Sequence, residues 1–324
     1  MRGGRDVPRL VPPDPAAWGE LVAKAPGATV FHTAAWARLW EEEWSDARWE
    51  AVALEEEGGY AAAIGAIVRR RGPARVLYSM PYATYGGPLV RAGHPDPAAA
   101  RRALLAAWGG EARRWGVLRS ELAWYGGLRE EIPAGLDALE GFTHVLPLTP
   151  DLDALWEGFA PSTRRLVRQA QESGLEIRAV EREEDLRVFY DLAVETVRRR
   201  GGSPKPWSLY ARIFSSLVPA GLARYHLVHH GEEPVAGSLH FFHEGTAFSW
   251  LPVSRERHWH LRPNNFLIAS LLETLAEAGY LEYNFGASPP DAAGLIRFKE
   301  GWGAKPRPVL LAGTRTALHR RLRG

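Results

Sequence analysis

Hydrophobic positions follow two periods along this chain, and the periods alternate in blocks. In "TAAWARLWEEEW" (33–44) they recur at helical spacing: Thr33 offers a cap, and Trp36, Leu39, Trp40 and Trp44 share a face. The next block, "WEAVALEEEGGYAAAIGAIVRRRGPARVLYSMP" (49–81), predicts three strands turned at Gly58-Gly59 and at Gly72-Pro73. A loop, "YATYGGPLV", leads to a helix over 97–116 closed by Gly116 and a strand over 117–124. The second half repeats this order. It predicts a helix over 207–217, three strands within 222–252 turned at Gly231 and Gly245, a helix over 262–280 and a strand over 280–287. Pro81 answers to Pro252 and Gly116 to Gly279 at nearly the same offset, as in a duplicated module. Between the halves, 151–174 reads as one or two helices, 175–180 as a strand and 183–202 as a helix.

At 324 residues the chain exceeds the usual size of one hydrophobic core, so two domains are expected. Helix, antiparallel meander, helix, strand in each half predicts an α/β fold with mixed sheets and helices on both faces. The boundary is placed near residue 150, giving 1–150 and 151–324, the second ending in a short basic segment, "RTALHRRLRG". Apolar residues at 46% and charged residues at 24% fit an ordinary globular protein. A net charge of +2 carries no global nucleic-acid signal, and no DNA partner is expected. The absence of cysteine excludes disulfides, thiolate metal sites and a cysteine nucleophile. "YAAAIGAIV" is too short to span a bilayer, and "MRGGRDVPRLVPPDP" lacks the apolar core of a signal peptide, so a cytoplasmic protein is expected. The oligomeric state stays open.

Among the 40 basic residues only Lys24, Lys205, Lys299 and Lys305 are lysines. Two of these lie in "GLIRFKEGWGAKPRP" (294–308), after the last predicted strand. Acyl transfer needs a fixed cation or N–H pair where the carbonyl oxygen turns anionic. Lys299, in a loop of glycines and aromatics, suits that task. The plainer reading is a solvated lysine paired with Glu300; Lys305 is secondary. Arg164 and Arg168 with Arg165, and Arg200 at the end of "RRRGG", form clusters suited to phosphate, or else simply complement helix ends. Lys205, Trp207 and Tyr210 follow the second cluster, and Trp250 on the meander is grouped with them as substrate-binding. Arg262, Asn264 and Asn265 in "RPNNF" open the long helix, where the asparagines serve as caps or leave N–H donors for a donor's phosphates. Tyr82 and Tyr85 line a ligand pocket or pack at an interface. Seven of the 11 histidines fall within 226–260, but no carboxylate or thiolate accompanies them at ligand spacing. They read as exposed or interfacial, with no metal expected, and His258 is a candidate base for the acceptor amine. No G-x-S-x-G elbow supports hydrolase chemistry.

"STRRLVRQAQESGLEI" (162–177), "RPNNFLIASLLETLAEAGYLEYNFGAS" (262–288) and "GLIRFKEGWGAKP" (294–306) resemble the acyltransferase module of the GNAT superfamily. With "MPYATYGGPL" (80–89), the duplicated pattern resembles the FemAB/FemX group, which transfers aminoacyl groups onto peptidoglycan precursors. The resemblance implies two tandem GNAT-like domains, the first binding the acceptor and the second transferring the acyl group. It implies Lys299 beside the acyl carbonyl and the Tyr82–Tyr85 loop facing the acceptor. It also implies that Lys205 and Tyr210 meet precursor phosphates, though their spacing departs from the group's pattern. It implies no tightly bound cofactor, an aminoacyl-tRNA or acyl-CoA donor, and an amine of a small or lipid-linked cell-envelope precursor as acceptor. "RPNNF" lacks the R-x-x-G-x-G/A loop of acetyl-CoA enzymes, which favours an aminoacyl-tRNA donor or a degenerate site. Two alternatives follow: an acyl-CoA-dependent N-acetyltransferase acting on another amine, and a GNAT-fold binding protein without chemistry.

Overall fold

The structure, a computed structural model, describes residues 9–56, 59–114 and 117–315. The expected turn at Gly58, the helix end at Gly116, the extreme N-terminus and nearly all of the basic tail lie outside these residues. The chain opens with α1 (Pro15–Lys24) and α2 (Ala34–Glu43), followed by the meander β1 (Ala47–Glu56), β2 (Gly59–Arg71) and β3 (Ala74–Tyr78). The short β4 (Leu89–Val90), α3 (Pro97–Arg114) and β5 (Arg119–Tyr125) come next. Then come β6 (Asp137–Pro147), α4 (Leu152–Glu157), α5 (Pro161–Gln171), β7 (Leu175–Ala179), α6 (Glu183–Arg199) and α7 (Trp207–Leu217). A second meander, β8 (Ala223–His230), β9 (Glu233–His243) and β10 (Thr246–Ser254), precedes α8 (Pro263–Glu277), β11 (Glu282–Ala287), α9 (Ala293–Glu300) and β12 (Lys305–Arg315).

The sequence places the division near 150 and assigns the chain end to the second half. The structure instead divides after Phe142, and residues 307–315 return to the first unit. The physical reason is strand pairing: β12 runs antiparallel to β5, with Val309 opposite Tyr125 and Arg315 opposite Arg119. Little in "PVLLAG" announces this role, because a short apolar run beside prolines has no clear period.

Within each unit the same plan is built. In the first, β1, β2 and β3 form an antiparallel meander, and β5 lies parallel to β3 with Tyr78 opposite Glu121. Helix α3 supplies Leu104, Leu105 and Trp108 to a core with Val52, Ile64, Leu77 and Leu122. In the second, β8, β9 and β10 form the meander, and β11 lies parallel to β10. A parallel neighbour requires a crossover, which α3 supplies in one unit and α8 in the other. The predicted duplication is thus the observed topology. Thr33 caps α2 through its side-chain oxygen, as its place in the sequence predicts.

Candidate active site

β10 and β11 pair over only three positions, from Thr246 opposite Glu282 to Phe248 opposite Asn284. Beyond them both strands leave regular pairing: β10 slips against β9 between Ser249 and Leu251, and β11 against β6 between Asn284 and Ala287. Asn284 holds this break. Its Oδ1 accepts from Thr143 Oγ1 at 2.6 Å and from the Gly286 N–H at 2.8 Å. Gly286 has φ +77°, a value that ordinary side chains rarely adopt. In an extended strand, successive carbonyls point to opposite sides. Here the carbonyls of Gly286 and Ala287 converge on one atom, the ammonium nitrogen of Lys299.

Lys299 Nζ donates to Gly286 O at 2.7 Å, Ala287 O at 3.0 Å and Ser288 Oγ at 2.9 Å. An ammonium has three N–H groups, so all three are engaged. The side chain is buried, at 4% exposure, and burial lowers its pKa to about 8. It does not sit in a loop paired with Glu300, as the sequence suggests; it lies in the last turn of α9. The negative end of the helix dipole favours a cation there. Trp302, fully buried against Phe159 at 5.0 Å, fixes the end of that helix, and the Ala160 N–H donates to Gly301 O at 2.8 Å.

Ser288 and His144 complete the cluster, and sequence reasoning missed both. Ser288 Oγ lies 3.4 Å from Nδ1 of the fully buried His144. Burial, and secondly the charge of Lys299, lower the pKa of His144 below its ordinary value. A neutral imidazole leaves Lys299 as the positive charge of the cluster. Because Ser288 accepts from an ammonium, its own O–H is polarised for donation.

The other predicted residues divide into two groups. Lys205, Tyr210 and Trp250 do come together: Lys205 Nζ lies 4.9 Å from the Trp250 ring centroid, and Tyr210 is 6.5 Å from Trp250. Burial lowers the pKa of Lys205. Trp207 stands beside them on Tyr190 at 5.4 Å and under Arg187 at 4.5 Å. The arginine clusters remain on the surface. Arg164, Arg165, Arg168, Arg198 and Arg200 have no carboxylate partner among the described residues, whereas Arg182, Arg187 and Arg255 are all paired. Arg168 stacks on Trp156 at 5.5 Å.

His258 Nε2 accepts from Arg257 Nε at 3.1 Å and lies 3.3 Å from a Glu233 carboxylate oxygen, within a surface charge cluster. Other expectations are corrected. Asn264 and Asn265 do not cap α8; Arg262 is the N-cap residue, with left-handed backbone and no side-chain cap bond. Tyr85 is a core residue stacked on Tyr125 at 5.2 Å, while Tyr82 is 45% exposed and lines a cavity of about 850 Å³ in the first unit. The meander histidines are not uniformly exposed: His226, His229 and His240 are buried. Among the described residues no group of three His, Cys, Asp or Glu is arranged to hold a metal ion.

Residues 159–300 match the family described as Acetyltransferase (GNAT) domain. The chain carries a GNAT acyltransferase domain. In fold it is similar over its whole length to the crystal structure of FemX, with a TM-score of 0.70 at 15% identity, covering 97% of this chain and 98% of that one. It is also similar to L-PGS from Bacillus licheniformis, with a TM-score of 0.57 at 16% identity, covering 96% and 94%. The tandem GNAT protein from the clavulanic acid biosynthesis pathway matches with a TM-score of 0.52 at 14% identity, covering 83% of each chain. At these identities the likeness is one of fold: tandem GNAT-like units, the first of them outside the matched family stretch. No curated protein matches the chain in sequence. Among the described residues no helix is long and apolar enough to cross a membrane.

Proposed function

We propose that this GNAT acyltransferase moves an aminoacyl group from a charged tRNA to an amine of a cell-envelope precursor. One observation carries the chemistry: a buried ammonium held against the break between β10 and β11, with Ser288 beside it. The acceptor amine attacks the ester carbonyl of the donor, and negative charge gathers on the carbonyl oxygen; collapse then breaks the ester C–O bond, and the tRNA hydroxyl leaves with the proton that the amine gives up through solvent. The field of Lys299 meets that charge, because a buried cation is poorly screened. All three N–H groups are already engaged, so direct contact requires one acceptor to leave. Two acceptors are backbone carbonyls; Ser288 alone can rotate away. Otherwise the polarised Ser288 hydroxyl donates to the oxyanion itself.

The whole-length likeness to the FemX fold supports the assignment to the FemAB-like branch. Two local features support tRNA over CoA. At the start of α8 the Arg262 N–H is spent on Trp259 O, Pro263 has none, and those of Asn265 and Phe266 close on Arg262 O. That leaves a pyrophosphate the N–H of Asn264, a poor cradle compared with a glycine-rich turn. The unpaired arginines of α5 and of the end of α6 suit a polyphosphate backbone, whose binding falls steeply with salt. A donor panel tests the proposal. Purified protein is incubated with aminoacyl-tRNAs or acyl-CoAs and with cell-envelope amines, and the acylated product is followed. Transfer from tRNA supports the reading. Transfer from CoA alone overturns the donor assignment, and transfer from neither favours a GNAT-fold binding protein.

A further inference from the structure

The first unit holds a cavity of about 850 Å³, the size of a small-molecule site, and the acyl-transfer reading does not use it. Its floor is the face of β3, β5 and β12, with Tyr78 opposite Glu121 and Glu121 opposite Gly313. Gly313 lets β12 approach β5 closely there, since a Cβ would lie 2.0 Å from Ser120 O. Its rim gathers three large apolar side chains left open to solvent: Leu139 at 66% exposure, Tyr82 at 45% and Leu311 at 38%. Single exposed apolar residues need no explanation, but three around one cavity do.

Tyr82 adds a second, independent sign. Its backbone lies at φ 58°, ψ 31°, a left-handed conformation that a bulky side chain seldom adopts. Its ring lines the cavity, 45% exposed, 5.4 Å from Trp40 and 6.4 Å from Trp44. Strain of this kind is characteristic of sites that hold ligands.

Charge decides the ligand. The cavity has two guanidinium groups, and each is neutralised within the unit. Arg69 is bonded to Asp46 through two nitrogens, at 2.9 and 2.6 Å, and lies 4.1 Å from the Trp44 ring; Arg119 is paired with Glu121. Asp137 also lines the cavity, is exposed, and has no ion-pair partner among the described residues. One negative charge is thus left over on the lining of the cavity.

We infer that this cavity binds a primary amine with an apolar, flat body: the body lies against Tyr82, Leu139 and Leu311, and the ammonium meets Asp137. The site stands on the first unit alone and does not depend on acyl transfer. Isothermal titration calorimetry on the full chain tests it with phenethylamine, phenylacetate and phenethyl alcohol. Phenethylamine is expected to bind with one-to-one stoichiometry, about tenfold tighter than either of the others. Asp137→Asn, at an exposed position and in a variant that melts like the parent, should erase that preference, and Tyr82→Ala should weaken all three probes. Equal or tighter binding of phenylacetate, equal binding of all three, binding of none, or an amine preference that survives Asp137→Asn overturns the proposal. So does binding indifferent to Tyr82→Ala in a variant that melts like the parent.

Discussion

Lys299 is an unusual lysine for a physical reason that can be measured. Burial holds its pKa at about 8, well below the ordinary 10.5. If turnover needs the ammonium, the rate falls as pH rises through about 8. Stability moves the other way. Between about 8 and 10.5 the unfolded chain still binds this proton and the folded chain does not, so folding gains stability as pH rises. A pH–rate profile and urea unfolding over the same range should show these opposite trends; parallel trends would contradict the assignment. Ser288→Ala removes the movable acceptor and the polarised donor together. It should lower kcat by about 10²-fold, the cost of one oxyanion donor, with KM little changed. A loss in KM alone would make Ser288 a binding group.

At the scale of elements, α9 and the end of β11 set the geometry, and each rests on one residue. Trp302→Ala should cost about 3–5 kcal/mol of stability, as large aromatic truncations do, and release the end of α9. Gly286→Ala places a Cβ 3.3 Å from Ser249 O on a left-handed backbone. It should cost about 1–2 kcal/mol and turn the paired carbonyls away from Lys299, visible as a further fall in that lysine's pKa, because those acceptors favour the charged form. The sequence announces this region only in part. The scarcity of lysine and the glycines around it point to Lys299, but they suggest a loop where there is a helix. Two of its three partners are backbone carbonyls, which no side-chain identity reveals. His144 lies on β6, whose half-apolar run near the domain boundary has no clear period. The meanders, by contrast, are legible because glycine turns punctuate long alternating runs. The asparagines of "RPNNF" mislead because Pro263 takes the first helical position and moves the cap to Arg262.

For the whole molecule, the return of residues 307–315 to the first unit means that the two halves of the sequence are not the two units. Truncation after Pro306 should strip β12 from β5 and speed amide exchange along Arg119–Tyr125, while α8 and β11 keep their protection. Equal exchange in both units would contradict the assignment. Buried histidines set the acid limit. His226 is held at about 4, and His240 is held well below its ordinary value, both by burial. Unfolded imidazoles titrate near 6.5, so stability is full above that pH and is lost as pH falls toward about 4. Urea unfolding should show the loss, and His226→Gln should make it shallower. The central claim is tested most directly by single-turnover transfer from aminoacyl-tRNA to a cell-envelope amine, comparing the parent chain with Lys299→Ala under conditions where both are folded. The variant should bind donor normally and transfer at least about 10²-fold more slowly; an unchanged transfer rate would rule out a role for the Lys299 ammonium in the chemistry.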